Sequence, residues 1–281
     1  MSSTESGQTG KYLYCILKSG DWANMNVDNI TGIDGINHLF FVEYKNIYAA
    51  VSDVPLSQFG REELDEKLNN TEWLEKAVLK HEYILLQLMQ RTAVMPIRFC
   101  TIFHNRQGIL DLLAESYEGF LETLEFLEHK EEWGVKVYLD MAFLEAKISE
   151  TGSDLVKMGQ EINMVSSGAA FFLKKKRDRL LAERADTESF VYADEFHNKL
   201  GRVAERTSLS KLLGEETTGN PKRMILNAAY LISKEQVNEF RREAADIEKA
   251  YPCLGLELAV SGPWPAYHFC RDMSQGGDED E

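Results

Sequence analysis

Between residues 135 and 233 the chain sets a very long helical interruption between two strands, and few folds accommodate that. "VKVYLDM" (135–141) and "RMILNAAYLIS" (223–233) read as strands, while two helical stretches, roughly 142–164 and 167–207, meet near "VSSG". The second stretch carries Leu181, Ala185, Tyr192, Phe196, Leu200 and Val203 on one face, at the spacing of an amphipathic helix. A connection of that length predicts a projecting helical hairpin. Beyond a loop at Gly214–Pro221 and the second strand, "KEQVNEFRREAADIEKAY" (234–251) reads as a helix and "CLGLELAVSGPW" (253–264) as a strand. Taking the helical pair as one elaborated crossover gives a split βαβ order with one strand still to be found. That is the plan of a ferredoxin-like α+β domain.

The first half is also α+β and is read as a variant of the same plan. "KYLYCILK" (11–18) is a strand, and "NHLFFVEYKNIYAAVSDVP" (37–55) holds two more, split at Lys45-Asn46 by a two-residue hairpin loop. From Gly60 the pattern turns helical, with Leu74, Val78, His81, Leu85 and Leu88 in register and a capping-box restart at Asn69 and Glu72. "VMPIRFCTIF" (94–103) is a fourth strand, with Pro96 near its start or on an edge. A helix with Ile109, Leu113, Tyr117, Phe120, Leu124 and Leu127 on one stripe follows, stopping at Gly134 in "EEWG". The 281 residues therefore divide into a domain at 11–134 and another at 135–270, with tails at 1–10 and 271–281 expected to be disordered.

A net charge of −15 disfavours nucleic acid, whose binding rests on neutralising phosphates. No apolar run reaches bilayer length and "MSSTESGQTGK" lacks a secretory apolar core, so no membrane is expected and the location reads as cytoplasmic. Cys15, Cys100, Cys253 and Cys270 are scattered and form no metal-type pair. Neither a cofactor nor a metal is expected. Nucleotide-binding, nucleophile-elbow and zinc-protease motifs are all missing, so any catalytic reading would rest on single residues.

His81, with Glu82 beside it, lies on the apolar stripe of its helix, where a hydrogen-bonded core histidine outweighs a catalytic base. Arg98 needs a carboxylate partner if buried, with Glu82 as the candidate; the other reading is an anion clamp. "KKKRDR" (174–179) fans around its helix and reads as a solvated face before a binding patch. "GPWPAYHF" (262–269) has PxP spacing at the end of a strand, so it reads as a corner. Gly262 permits the turn there, and Trp264, Tyr267 and Phe269 supply apolar area.

"KYLYCIL", "HE" followed by "VMPIRFCTIF", "EWGVKVY", "FFLKKKR" and "GPWPAYHF", in this order, resemble the gas vesicle GvpF/GvpL family from about residue 11 to 270. The family pattern commonly has glycine where Cys100 stands. The resemblance implies a non-enzymatic accessory protein of gas vesicle assembly, and so of buoyancy, with two α+β domains. As partners it implies the small hydrophobic shell protein, of GvpA type, and other accessory proteins. His81, Glu82, Arg98, Phe99, Trp133, Trp264 and Tyr267 are the structural or interface candidates within these stretches. A competing class remains, a small-ligand-binding or enzymatic ferredoxin-like protein with a pocket converging on His81, Glu82 and Arg98.

Overall fold

The computed structural model describes residues 8–18 and 29–270, so the two expected tails lie outside it except at positions 8–10. Thr9 and Gly10 of that tail already belong to the first strand. The chain divides into two compact units, one running up to Glu131 and resuming at Trp264, the other spanning Glu132–Pro263. The segment from Trp264 therefore belongs with the first unit, although the sequence pattern had put it in the second. Buried Phe269 and the bond from Tyr267 to His81 account for the return.

In the first unit, β1 (Thr9–Lys18), β2 (Leu39–Tyr44) and β3 (Ile47–Pro55) lead through α1 (Leu56–Phe59) and α2 (Arg61–Leu68) to α3 (Thr71–Met89). Strands β4 (Val94–Pro96) and β5 (Ile102–Phe103) precede α4 (Arg106–Glu115) and α5 (Tyr117–Leu127). The antiparallel sheet runs β2-β3-β1-β4, with β5 also on β1. Its hairpin turns at Lys45-Asn46, where Lys45 takes φ 51° and lays its ammonium 4.0 Å from the Tyr117 ring. Tyr12 to Leu17 are all fully buried, so β1 is covered on both faces. Ile84, Leu85 and Leu88 of α3 share a core with Tyr12, Tyr14 and Leu17. Ile109, Leu113, Phe120 and Leu124 of α4 and α5 are buried outside that core. Asn70, one residue past the expected cap, accepts the Trp73 N–H and starts α3. Asn105 does the same for α4.

The expected strand at 94–103 is broken. Its two ends pair with β1 at Cys15↔Pro96 and Tyr12↔Ile102, and between them Arg98, Phe99 and Cys100 are pushed out of the ladder. The Tyr12 hydroxyl accepts the Cys100 N–H at 2.9 Å, and Thr101 Oγ1 donates to the Arg98 carbonyl at 2.7 Å, so the excursion satisfies its own polar groups. Cys100 turns the chain back with φ 63°, the left-handed region. A glycine at this position would adopt that geometry without strain. Replacing Cys100 with valine is expected to cost about 2 kcal/mol in urea unfolding, whereas Cys100→Gly should stay within about 1 kcal/mol.

The second unit builds on β6 (Lys130–Leu139), α6 (Met141–Thr151), α7 (Ser153–Ile162) and α8 (Ser167–Gly201), then β7 (Arg206–Leu209) and α9 (Glu215–Thr218). It closes with β8 (Arg223–Ser233), α10 (Val237–Ala250) and β9 (Glu257–Trp264) in a sheet ordered β7-β8-β6-β9. Strand β7, antiparallel to β8 with Arg206↔Leu231, is the strand the pattern lacked. The helix read to residue 207 stops at Gly201, and Glu205 N–H already bonds the Leu231 carbonyl at 2.9 Å. Gly134 does not end a helix: it lies inside β6, and the turn falls to His129 at φ 59°. The stretch at 142–164 is two helices, broken at Gly152, whose N–H closes on Ile148. Helix α8, with 35 residues, spans roughly 50 Å at the α-helical rise. Ala185, Phe196 and Leu200 anchor it in a core with Val135, Val137, Tyr230 and Phe240. Arg184 grips Asp154 of α7 through both carboxylate oxygens.

Candidate functional site

Five of the candidates named from the sequence fall together in the first unit. His81 is buried in α3, with Nδ1 3.0 Å from the Tyr12 hydroxyl and Nε2 3.0 Å from the Tyr267 hydroxyl. Phe99 meets its ring edge-on at 5.5 Å. Burial lowers the His81 pKa to about 4, so the imidazole is neutral near pH 7. A neutral imidazole has one donor and one acceptor, which gives this chain of bonds a direction. The Tyr267 hydroxyl donates to the Glu82 carboxylate, whose charge, after burial, raises the phenol far above its ordinary value. With the Tyr267 O–H given to Glu82, its oxygen accepts Nε2–H, so that Nδ1 accepts from the Tyr12 hydroxyl, whose oxygen in turn accepts the Cys100 N–H. Tyr267 as a whole is 37% exposed, although its hydroxyl is held against His81.

Beside this chain lies a cavity of about 630 Å³. Glu82, Arg98, Phe99 and Tyr267 line it, together with Asp111 and Glu115 of α4. Thus Glu82 and Arg98 share one cavity, and Arg98 is solvent-exposed at its rim rather than on a buried strand face. Tyr12, Asp111 and Glu115 were not singled out from sequence. The acids sit one helical turn apart, an (i, i+4) signal that only the tertiary fold gives a destination.

Trp133 and Trp264 lie elsewhere. Trp133 is buried in β6 under the Arg241 guanidinium, 4.4 Å from its centroid. Gly262, joined to Pro263 by a cis bond, has φ 134°, and a Cβ there would meet the Glu132 carbonyl oxygen at 2.9 Å. Trp264 remains 41% exposed, so of the expected aromatic plug it is Phe269 that is buried. In "KKKRDR", Arg177 turns inward to the Leu155 carbonyl and Ser149, while Lys174, Lys175, Lys176 and Arg179 are exposed.

The turn between α7 and α8, with the start of α8, exposes apolar side chains. Met164 is 84% exposed, Phe171 64% and Phe172 73%, and the two phenylalanine rings touch each other at 5.8 Å. Among the described residues no helix is long and apolar enough to cross a membrane, and no three metal-type side chains cluster.

This fold is that of known gas vesicle proteins. The crystal structure of the gas vesicle protein GvpF from Anabaena sp. PCC7120 superposes with a TM-score of 0.67 at 18% identity, covering 94% of this chain and 96% of that one. The chain belongs to the family described as gas vesicle synthesis protein GvpL/GvpF, which it matches over residues 10–271. Gas vesicle protein L of Streptomyces sp. (strain CB03234) is 25% identical over 232 residues, 81% of each chain. Gas vesicle protein L1 of Halobacterium salinarum is 23% identical over 277 residues, covering 95% of this chain and 92% of that protein.

Proposed function

We propose that this chain is a non-enzymatic accessory protein of gas vesicle assembly, working in the cytoplasm at the growing vesicle. It binds the small hydrophobic shell protein, of GvpA type, together with other accessory proteins, and shields the apolar face of the shell subunit before it is incorporated. Family membership supports the setting, and the strand and helix order of the second unit suits the ferredoxin-like description. The observation that carries the binding role is the exposed apolar tip at Met164, Phe171 and Phe172, because apolar clusters left open to water mark protein contacts. Lys174 to Lys176, just behind it, would set the orientation of the docked partner.

The His81 constellation fits a structural role better than a catalytic one. Both imidazole nitrogens are committed to tyrosine hydroxyls, and a pKa near 4 leaves a weak base. Co-expression of tagged protein with the shell protein, followed by affinity capture, should recover the shell protein. Capture of neither the shell protein nor any other vesicle protein would end the binding proposal.

A further inference from the structure

The cavity beside Tyr267 has a chemistry that the assembly role does not use. We propose that it is a docking site for a basic peptide segment, one lysine or arginine flanked by apolar side chains, presented by a partner protein. The inference rests on the reading of this chain as a binding protein, but not on the exposed tip, which lies in the other unit. At about 630 Å³ the cavity falls in the range of ligand sites, and its walls include Met95, Ile97, Phe99, Phe103, Leu112 and Phe120. Such walls favour apolar flanks on whatever enters.

The charges at its edge select the sign of the guest. Among the described residues lining it, three carboxylates, Glu82, Asp111 and Glu115, face the single guanidinium of Arg98. Asp111 and Glu115 are exposed and one turn apart on α4, with Asp111 held by the Gln107 amide at 2.8 Å. On the other side, the half-buried Glu82 is oriented by the Tyr267 hydroxyl, itself positioned by His81. A guest cation would lie between carboxylates supplied by α3 and α4, with its apolar neighbours on the wall between them. The whole chain, at a net charge of −15, also draws basic segments toward it. In this arrangement Arg98 opposes a basic guest, which gives the proposal a signature that loss of structure would not imitate.

The test uses the full-length protein and calorimetric titration with a capped tetrapeptide, Leu-Arg-Leu-Phe, against Leu-Glu-Leu-Phe and against hexylamine. The arginine peptide should bind and the glutamate peptide should not. The double variant Asp111→Asn, Glu115→Gln changes exposed side chains without altering their size, and should weaken binding about tenfold. Arg98→Gln should strengthen binding about threefold, and added salt should weaken it in every binding variant. Equal binding of the two peptides, no binding of the arginine peptide, or weaker binding in Arg98→Gln would each overturn the proposal. Hexylamine binding as tightly as the peptide would assign the cavity to a free amine and overturn the peptide assignment. Binding of the arginine peptide to a protein that captures no vesicle partner would separate the fate of this site from that of the assembly role.

Discussion

Gly262→Ala is expected to destabilise the second unit by about 3 kcal/mol or more, a large effect for the addition of a single methyl group. Two independent costs combine. The backbone φ of 134° lies in a region that residues with a Cβ scarcely enter, and the added carbon would sit 2.9 Å from the Glu132 carbonyl oxygen and 3.2 Å from the Trp133 ring. Relief would require β6 or β9 to shift, disturbing a core that includes Trp133 and Val135. Urea unfolding followed by tryptophan fluorescence reads this directly, since Trp133 borders the substituted position. Gly168→Ala is the matched control: a Cβ there meets nothing within 4 Å, and in α8 it should be neutral or stabilising by up to about 1 kcal/mol. An unfolding midpoint for Gly262→Ala equal to that of the unsubstituted protein would show that the corner tolerates a side chain.

The second large effect is on pH dependence. His81 has a folded pKa of about 4 against an ordinary 6.5, because burial disfavours the imidazolium. Between those values the unfolded chain holds a proton that the folded chain does not, so stability falls as the pH falls. The contribution is fully present above the unfolded value and is lost progressively down to pH 4, amounting to about 3 kcal/mol. Below that pH this group adds no further loss. In His81→Gln the titration is absent, and the difference between the two stability profiles should slope across this window and be flat on either side. Parallel profiles would show that His81 takes up its proton in the folded state without penalty.

Much of this architecture was legible because local signals agreed with the tertiary outcome. The hairpin turns at Lys45-Asn46 as read, and the strands around residues 11–18 and 223–233 and the stripe of α8 bury most of what their periodicity says they should. In α3, by contrast, His81, Leu85 and Leu88 are buried but Val78 is 38% exposed, and Ala77 and Ile84 point inward instead. Failures came where tertiary partners overrode a local pattern. Strand β7 reads "RTSL" and exposes nearly all of its length, so it lacks alternation and takes its identity from pairing with β8. The run at 94–103 looks like one strand because the Tyr12 hydroxyl, which holds the Cys100 excursion, is 88 residues away in sequence. The break at Ser116 between α4 and α5 likewise carries no glycine or proline to announce it.

The candidate site shows the same division. His81, Glu82, Arg98, Phe99 and Tyr267 could each be singled out by residue type and position. Nothing in the sequence, however, says that a tyrosine 186 positions downstream completes the histidine's hydrogen bonding. The acids of α4 were invisible for a different reason, since exposed carboxylates on a helix are ordinary until a cavity is seen beside them.

The most direct test of the assembly role is made in a vesicle-forming host whose own copy of this gene has been deleted, with vesicles counted by electron microscopy. Restoring the unsubstituted chain should restore vesicles, while the double variant Phe171→Ser, Phe172→Ser should fold normally, because both side chains already face water, yet leave the cells without vesicles. Full vesicle formation with the double variant would contradict the contact assigned to the α7–α8 tip, and vesicles in the deleted host would contradict the assembly role itself.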